Sequence, residues 1–171
     1  MAPVVVLIGP PGAGKSSVGS RVARLLGTGL RDTDADVEAA AGRSVSDIFV
    51  SDGEDRFREL ERLAVSQAIA EHDGVLSLGG GAPMDASTQA LLEQYVLGGG
   101  MVVFLDVSLQ AAVPRVGLNA TRPLLLGNPR QRWLTLMTER RPIYERLATL
   151  TVLTDNRKPH DIARQIAEAR A

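Results

Sequence analysis

A chain of 171 residues, with 44% hydrophobic and 23% charged residues, is long enough for one globular domain around a single core. Its net charge of −1 favours neither nucleic acid nor an anionic membrane as a partner, and the absence of cysteine excludes disulfides, thiolate metal sites and cysteine nucleophiles. No stretch predicts a signal peptide or a transmembrane helix, so we expect a single cytoplasmic domain over residues 1–171.

Short apolar segments alternate with helical patterns along the chain. Val4–Ile8 is a continuous run rich in β-branched residues that ends at glycine and proline, as buried parallel strands often do. Apolar residues at helical spacing predict a first helix over 15–26, and Leu30 and Arg31 lead into a short second strand. The other predicted elements, in chain order, are helices over 37–41 and 54–71, a strand over 75–78, a helix over 86–95, a strand over 102–107, helices over 108–113 and over 130–140 or on to 146, a strand over 150–153 and a helix over 159–169.

More specific expectations attach to some of these elements. Pro114 is expected to bend or end the helix over 108–113. Residues 117–129 are rich in Gly, Asn, Pro and Arg without clear periodicity, which predicts a mobile lid loop. The alternation of strands and helices predicts a three-layer α/β/α domain with a central parallel sheet. The residues of the helix over 54–71 expected to face the core are Phe57, Leu60, Leu63, Ala64 and Ile69.

The segment Gly9–Ser16 matches the phosphate-loop pattern G-x4-G-K-[S/T], directly between a predicted strand and a predicted helix. Its glycines allow the backbone amides to turn inward as an anion nest, and the helix N-terminus adds positive charge. Lys15 can reach the β- and γ-phosphates, and the Ser16 hydroxyl can ligate Mg²⁺. A chance glycine-rich turn is the alternative, but the strand and helix around the segment favour a nucleoside triphosphate site.

Two carboxylates, Asp32 and Asp34, flank Thr33 just after the second predicted strand. Because the carboxyl ends of parallel strands share one edge of a sheet, both should face the phosphate loop. Phosphoryl transfer needs a carboxylate near Mg²⁺ and a group that orients or deprotonates the acceptor hydroxyl, so this pair can divide those tasks. The alternative is that Thr33 or Asp34 caps a helix that starts here.

Arginines that could bind a small anionic acceptor lie in three separate segments. Arg58, Arg122 and Arg140 could supply guanidinium forks, although a single arginine is more often a solvated surface residue. Gly79–Gly81 follows a predicted strand, where glycine lets a ligand approach the backbone, whereas Gly98–Gly100 precedes a strand and is expected to be a turn. Spacing alone does not separate these arginines from their neighbours Arg56, Arg62 and Arg141.

A family resemblance emerges when these segments are taken in order. Besides the phosphate loop, the segments that carry it are Asp32–Asp34, Phe57–Glu61, Leu78–Ala82, Thr121–Leu125 and Arg140–Tyr144. The set resembles shikimate kinase over essentially the whole chain. The resemblance implies the nucleoside-monophosphate-kinase type of P-loop fold, and a monomer that binds ATP and shikimate. It implies phosphorylation of the 3-hydroxyl of shikimate by ATP, with Mg²⁺, on the pathway to chorismate and aromatic amino acids.

The same resemblance implies a role for particular residues on the acceptor side, within a substrate-binding segment of about 33–61. Asp34 would bind the shikimate hydroxyls and act as the base. Arg58 and Arg140 would clamp the shikimate carboxylate, and Glu61 would hold Arg58 in place. The glycines that would line the same pocket are Gly79, Gly80 and Gly81.

On the nucleotide side, the resemblance implies a magnesium shell formed by Ser16 and Asp32. Lys15 and Arg122 would join Asp34 in catalysis, and Arg122 would swing in with the lid. The residues implied in ATP binding are Gly12, Ala13, Gly14, Lys15, Ser16, Ser17, Arg115, Arg122, Arg157 and Pro159, with Arg115 and Pro159 on either side of the adenine.

Two other functions remain open at the level of sequence. Gluconate kinase shares the fold and the phosphate loop, and its acceptor is also a small polyhydroxy acid, but Phe57-Arg58 and the glycine triplet favour shikimate. A nucleotide-dependent switch is a second class, but the guanine-binding pattern Asn-Lys-x-Asp is absent from the sequence. The paired aspartates and the arginines also favour a second small-molecule pocket over a switch.

Overall fold

The computed structural model describes residues 2–116 and 128–171. Within these residues, five parallel strands form one sheet in the order β2-β3-β1-β4-β5, which confirms the predicted parallel sheet. The strand that leads into the phosphate loop is therefore central, and the strand that ends at Asp32 lies at one edge. The strands are β1 (Val5–Ile8), β2 (Leu30–Asp32), β3 (Val75–Ser77), β4 (Val102–Asp106) and β5 (Leu150–Leu153).

Helices cover the sheet, as a three-layer domain requires. Helices 15–25 and 159–170 pack against each other as one group. Helices 54–71, 86–97 and 129–147 form a second group. A short 3₁₀ turn over Ala82–Met84 follows the glycine triplet. The helices are α1 (Lys15–Leu25), α2 (Thr33–Ala41), α3 (Val45–Asp52), α4 (Glu54–Glu71), α5 (Ala86–Leu97), α6 (Leu109–Val116), α7 (Pro129–Leu147) and α8 (Pro159–Arg170).

The core centres on β1 and β4, since every residue of β1 and most of β4 is fully buried. Such continuous apolar strands are typical of a parallel sheet with helices on both faces. A smaller cluster beneath α2, α3 and α4 contains Val37, Ile48, Phe57 and Ala64. This second cluster fixes α4, the helix that carries Arg58 and Glu61, relative to the end of β2.

Helix α3 is the main element that the sequence patterns did not predict. Ser44 caps it by accepting a hydrogen bond from the Asp47 amide at 3.1 Å, and Ile48 is fully buried in the smaller cluster. The signal was present, because Ser44 followed three residues later by an acidic residue is a capping-box pattern. Val45, Ile48 and Phe49 stand at helical spacing, but a helix of eight residues is too short for more than about one repeat of that pattern.

One expectation about a helix face was wrong, and one helix continues past its predicted end. Leu63 was expected inside, but it is 63% exposed, whereas Phe57 and Ala64 are buried. Pro114 was expected to bend or end its helix, but α6 continues past it to Val116. The later helix follows the longer of its two predicted extents, because α7 continues to Leu147. A proline inside a helix removes one N–H bond and crowds the preceding turn, but packing along the rest of the helix can outweigh that cost.

The predicted lid over 117–129 falls largely outside the described residues, and so does Arg122. The last two residues of that range start α7 instead, because Asn128 caps this helix and Pro129 occupies its first turn. Proline suits that position, where its missing N–H has no intrahelical partner to lose. Among the residues described, none of the helices is long and apolar enough to span a membrane.

Candidate active site

The phosphate loop connects β1 to α1 at the carboxyl edge of the sheet. Gly14 has a φ of +87°, a left-handed conformation that favours glycine, and it is the N-cap of α1. Because a glycine caps the helix, the cap offers no side chain to the first amides of α1, which suits them to an anion. Lys15 folds over the loop, and its Nζ donates to the carbonyl oxygens of Gly9 at 2.7 Å and Pro10 at 3.1 Å.

A cleft of about 290 Å³ opens beside this loop. It runs from the start of α1 across the ends of β2 and β3 to the glycine triplet. The structure thus brings most of the predicted phosphate-loop residues to one cavity with three of the predicted acceptor residues, Asp34, Gly79 and Gly80. Its lining residues are Gly12, Gly14, Lys15, Ser16, Ser17, Asp32, Asp34, Ser77, Leu78, Gly79, Gly80 and Arg115.

Asp32 caps a helix and also faces the phosphate loop. Its Oδ1 accepts a hydrogen bond from the Asp34 amide at 2.8 Å and so caps α2. Its Oδ2 lies 3.4 Å from the Ser16 hydroxyl, across the mouth of the phosphate loop. The capping residue is therefore Asp32, and not Thr33 or Asp34 as in the alternative that the sequence left open. Thr33 is buried, and its hydroxyl accepts a hydrogen bond from the Gly79 amide at 3.1 Å.

Asp34 and Glu61 converge on Gly79 from two different helices. A β-carbon at Gly79 would lie 2.7 Å from Asp34 Oδ1 and 3.0 Å from Glu61 Oε2. The space that a side chain would occupy is thus taken by two carboxylates. Any residue larger than glycine at this position would force the Asp34 carboxylate to shift and would crowd that of Glu61.

Glu61 is an acidic residue of α4 that is only 4% exposed. It accepts a hydrogen bond from Arg58 at 2.8 Å, and Arg58 also contacts Glu54 at 3.3 Å. Burial raises the pKa of Glu61 above its ordinary value, the charge of Arg58 partly offsets this, and Asp34 raises it further. The ion pair holds Arg58 against Gly81, where an added β-carbon would come within 2.5 Å of the guanidinium.

Arg140 lies on α7 and is 5% exposed. Its Nη1 would be 3.2 Å from a β-carbon at Gly80, so this guanidinium also faces the glycine triplet. Tyr144, one turn further along α7, donates from its hydroxyl to the Gly80 carbonyl at 2.5 Å. Burial raises the pKa of Tyr144, and its hydrogen bond and charge interaction with Arg140 oppose that shift.

The neighbouring arginines, which spacing could not separate, have partners elsewhere. Arg56 pairs with Glu59 at 2.9 Å on the exposed side of α4. Arg62 contacts Asp85 at 3.5 Å. Arg141 on α7 pairs with Asp106 at the end of β4, at 2.6 Å. Only Arg58 and Arg140 of these five arginines lie against the glycine triplet.

The predicted adenine residues are less closely grouped. Arg115 donates from Nη1 to the Gly12 carbonyl at 2.8 Å and lines the cleft. Arg157 is exposed and pairs with Gln165 at 2.7 Å, and Pro159 begins α8. Their adenine contacts therefore stay predictions.

Residues missed from the sequence include Trp133 and Tyr144. Trp133 donates from its indole N–H to the Pro11 carbonyl at 3.1 Å, so α7 contacts the phosphate loop as well as the glycine triplet. The signal was a stripe at helical spacing that includes an arginine, which marks that arginine as inward-facing. The buried residues of the stripe are Trp133, Met137, Arg140, Tyr144 and Leu147.

The comparison with protein-family models agrees with this geometry. The model described as shikimate kinase matches residues 11–171, nearly the whole chain. The chain belongs to the shikimate kinase family. A shikimate kinase of Streptomyces coelicolor is 52% identical over 168 residues, covering 98% of this chain and 95% of the relative.

Solved structures place this shikimate kinase family member in the same group. A shikimate kinase from Acinetobacter baumannii in complex with shikimate has a TM-score of 0.92 and 32% identity, covering 99% of this chain and 92% of that one. A gluconokinase from Sinorhizobium meliloti covers 97% and 90%, but at a TM-score of 0.62 and 20% identity. The gluconokinase likeness shows a shared fold alone.

Proposed function

We propose that this chain transfers the γ-phosphoryl group of ATP to the 3-hydroxyl of shikimate, giving shikimate 3-phosphate and ADP. The proposal depends mainly on one observation. The phosphate loop and the half-buried Asp34 line the same cleft, and Arg58 and Arg140 lie against the glycine triplet at the end of that cleft. Such a cleft has an anion site for the phosphates at one end and guanidinium groups for a carboxylate at the other. We expect the protein to act as a cytoplasmic monomer.

On the nucleotide side, the backbone from Gly12 to Ser17 would hold the phosphates, with Lys15 on the β- and γ-phosphates. Lys15 donates to carbonyl oxygens of its own loop, so its ammonium group lies near the nest. Arg115 would add a second cation at the same end of the cleft, since it is anchored to Gly12.

The donor atoms of Ser16 and Asp32 fit a magnesium ion. A hydroxyl and a carboxylate oxygen 3.4 Å apart are hard oxygen ligands of the kind that Mg²⁺ prefers. Within the described chain there is no cluster of three His, Cys, Asp or Glu side chains that could hold a metal alone. Ser16 would therefore ligate the ion with Asp32 close behind, and the ion, when bound with ATP, neutralises charge on the phosphates.

On the acceptor side, Arg58 and Arg140 would bind the carboxylate of shikimate across Gly80 and Gly81. Asp34 would accept a hydrogen bond from the 3-hydroxyl and take its proton as the oxygen attacks the γ-phosphorus. The bond from that phosphorus to the bridging oxygen of ADP then breaks. Catalysis of this kind depends mainly on positioning and charge stabilisation.

Arg122 and the lid complete the proposal, by analogy with the family resemblance. Closing a phosphoryl-transfer site excludes water, which would otherwise hydrolyse ATP. Arg122 would then add positive charge at the γ-phosphate.

The proposal is tested by offering the protein a choice of acceptors. Purified protein, ATP and Mg²⁺ are incubated with equimolar shikimate and gluconate, and the phosphorylated product is identified by mass spectrometry and by ³¹P and proton NMR. We expect shikimate phosphorylated on the 3-hydroxyl. Phosphorylated gluconate, or a phosphate on another hydroxyl of shikimate, would overturn the assignment.

A further inference from the structure

We propose that Tyr144 is a positioning residue for the acceptor site, whose hydroxyl fixes Arg140 relative to the Gly80 backbone and so sets the affinity for shikimate. The inference rests on the proposed function, because it concerns the same pocket. Tyr144 lies behind this pocket and is fully buried, so it would act through Arg140 and the glycine triplet.

The hydroxyl of Tyr144 joins two groups that the acceptor would meet. The Tyr144 hydroxyl donates to the Gly80 carbonyl at 2.5 Å. Arg140 meets the same glycine, because its Nη1 would be 3.2 Å from a β-carbon added at Gly80. Two residues one turn apart on α7 thus both contact the loop after β3 at Gly80.

Gly80 lies where the acceptor loop meets the phosphate loop. A β-carbon there would be 3.3 Å from Pro11 Cδ and 3.5 Å from the Gly9 carbonyl oxygen, besides its contact with Arg140. A shift of the Gly80 carbonyl would therefore move the Arg140 side of the pocket relative to the phosphates. The ring of Tyr144 is held by Phe104 of β4, with ring centroids 5.0 Å apart, so the hydroxyl has a rigid support.

The phosphate loop has its own support on the same helix. Trp133 donates to the Pro11 carbonyl at 3.1 Å, and it lies about two turns before Arg140 and three turns before Tyr144 on α7. Trp133 and Tyr144 are both buried aromatic residues with a polar atom on a loop carbonyl. The two residues support different loops, so their loss should affect different substrates.

The test is steady-state kinetics of Tyr144→Phe with each substrate varied in turn. The shikimate KM should rise by about twofold to tenfold, the factor that one ordinary hydrogen bond provides, with the ATP KM unchanged. In Trp133→Phe the ATP KM should rise instead. In the Arg140→Lys background, Tyr144→Phe should add little to the shikimate KM, because the two residues act as one unit.

Tyr95→Phe is the matched control for a lost tyrosine hydroxyl. Tyr95 is the only other tyrosine, and its hydroxyl donates to the Pro3 carbonyl at 2.8 Å, away from the cleft. This variant should lose thermal stability without a change in either KM. An unchanged shikimate KM in Tyr144→Phe, or equal rises in both KM values, would overturn the proposal.

A second measurement covers the case in which Tyr144→Phe does not fold. Tyr95→Phe protein labelled with ¹³C at the tyrosine ζ-carbon carries a single signal, from Tyr144. Shikimate should shift this signal, and a signal that shikimate leaves unmoved would contradict the proposal. If the wild-type protein itself does not phosphorylate shikimate, the proposed function fails. If it does and only the Tyr144 results are negative, this inference alone fails.

Discussion

Replacing Arg58 by alanine should weaken shikimate binding strongly and leave ATP binding nearly unchanged. Arg58 lies against Gly81 at the acceptor end of the cleft, and its hydrogen bonds go to Glu61 at 2.8 Å and Glu54 at 3.3 Å. No contact of this guanidinium leads to the phosphate loop in the described part of the chain. The variant therefore removes a cation from one substrate site only.

The magnitude follows from the charge that is lost. A hydrogen bond with a charged partner is worth about 1.5–3 kcal/mol, which corresponds to a rise of roughly 10- to 150-fold in the shikimate KM. We expect the upper half of this range, because the variant also leaves the 4% exposed Glu61 carboxylate without its guanidinium partner and close to the substrate carboxylate. Removing one partner of a buried ion pair is costly, so a lower melting temperature should accompany the change.

A coupled ADP-release assay with shikimate and ATP varied in turn measures both KM values. Arg56→Ala is the matched control, because Arg56 stands two positions earlier on α4, forms an ion pair with Glu59 at the same helical spacing and is 52% exposed. This control should leave both KM values within about twofold, as exposed ion pairs contribute little. Unchanged shikimate kinetics in Arg58→Ala, or a similar rise in both variants, would refute the role given to Arg58.

Three further variants test the rest of the cleft. Asp34→Asn should lose turnover while calorimetry still shows ATP binding, and a near-normal kcat would remove Asp34 as the base. Gly79→Ala should also lower kcat sharply, because its β-carbon would fall 2.7 Å from Asp34 Oδ1; normal turnover would contradict the packing described here. Glu61→Gln tests the raised pKa of Glu61. Because the folded protein keeps the Glu61 proton to higher pH than the unfolded chain does, folding is favoured most at low pH. The free energy of unfolding of the wild type should therefore fall relative to that of the variant as the pH rises above the ordinary glutamate range. A pH-independent difference in urea-unfolding free energy would argue against that shift.

Much of the fold could be predicted because apolar strands and glycine-rich strand ends are local signals. Val4–Ile8 and the phosphate loop gave the central strand and the nucleotide end of the cleft, and parallel topology then placed Asp32 beside them. The local signals failed where packing decides. Leu63 is exposed although its spacing suited the core, and Ile48 is buried in a helix too short to show periodicity.

The acceptor site was predictable in part. Spacing could not choose Arg58 over Arg56, because the choice depends on Glu61 and on the clearance above Gly81, which are tertiary contacts. The choice of Arg140 over Arg141 could be made locally, because Arg140 belongs to the stripe of buried residues at helical spacing on α7 and Arg141 does not. The hydrogen bond of Tyr144 to Gly80 joins residues 64 positions apart, and no local pattern predicts such a pair.

ADP release by the wild-type protein, measured with ATP and Mg²⁺ before and after addition of shikimate, tests the central claim most directly. A phosphate loop joined to a dedicated acceptor pocket should release little ADP alone, and should release one ADP for each shikimate phosphorylated once the acid is present. Gluconate at the same concentration should leave the basal rate unchanged. ADP release that does not depend on shikimate, or that gluconate stimulates equally, would contradict the account.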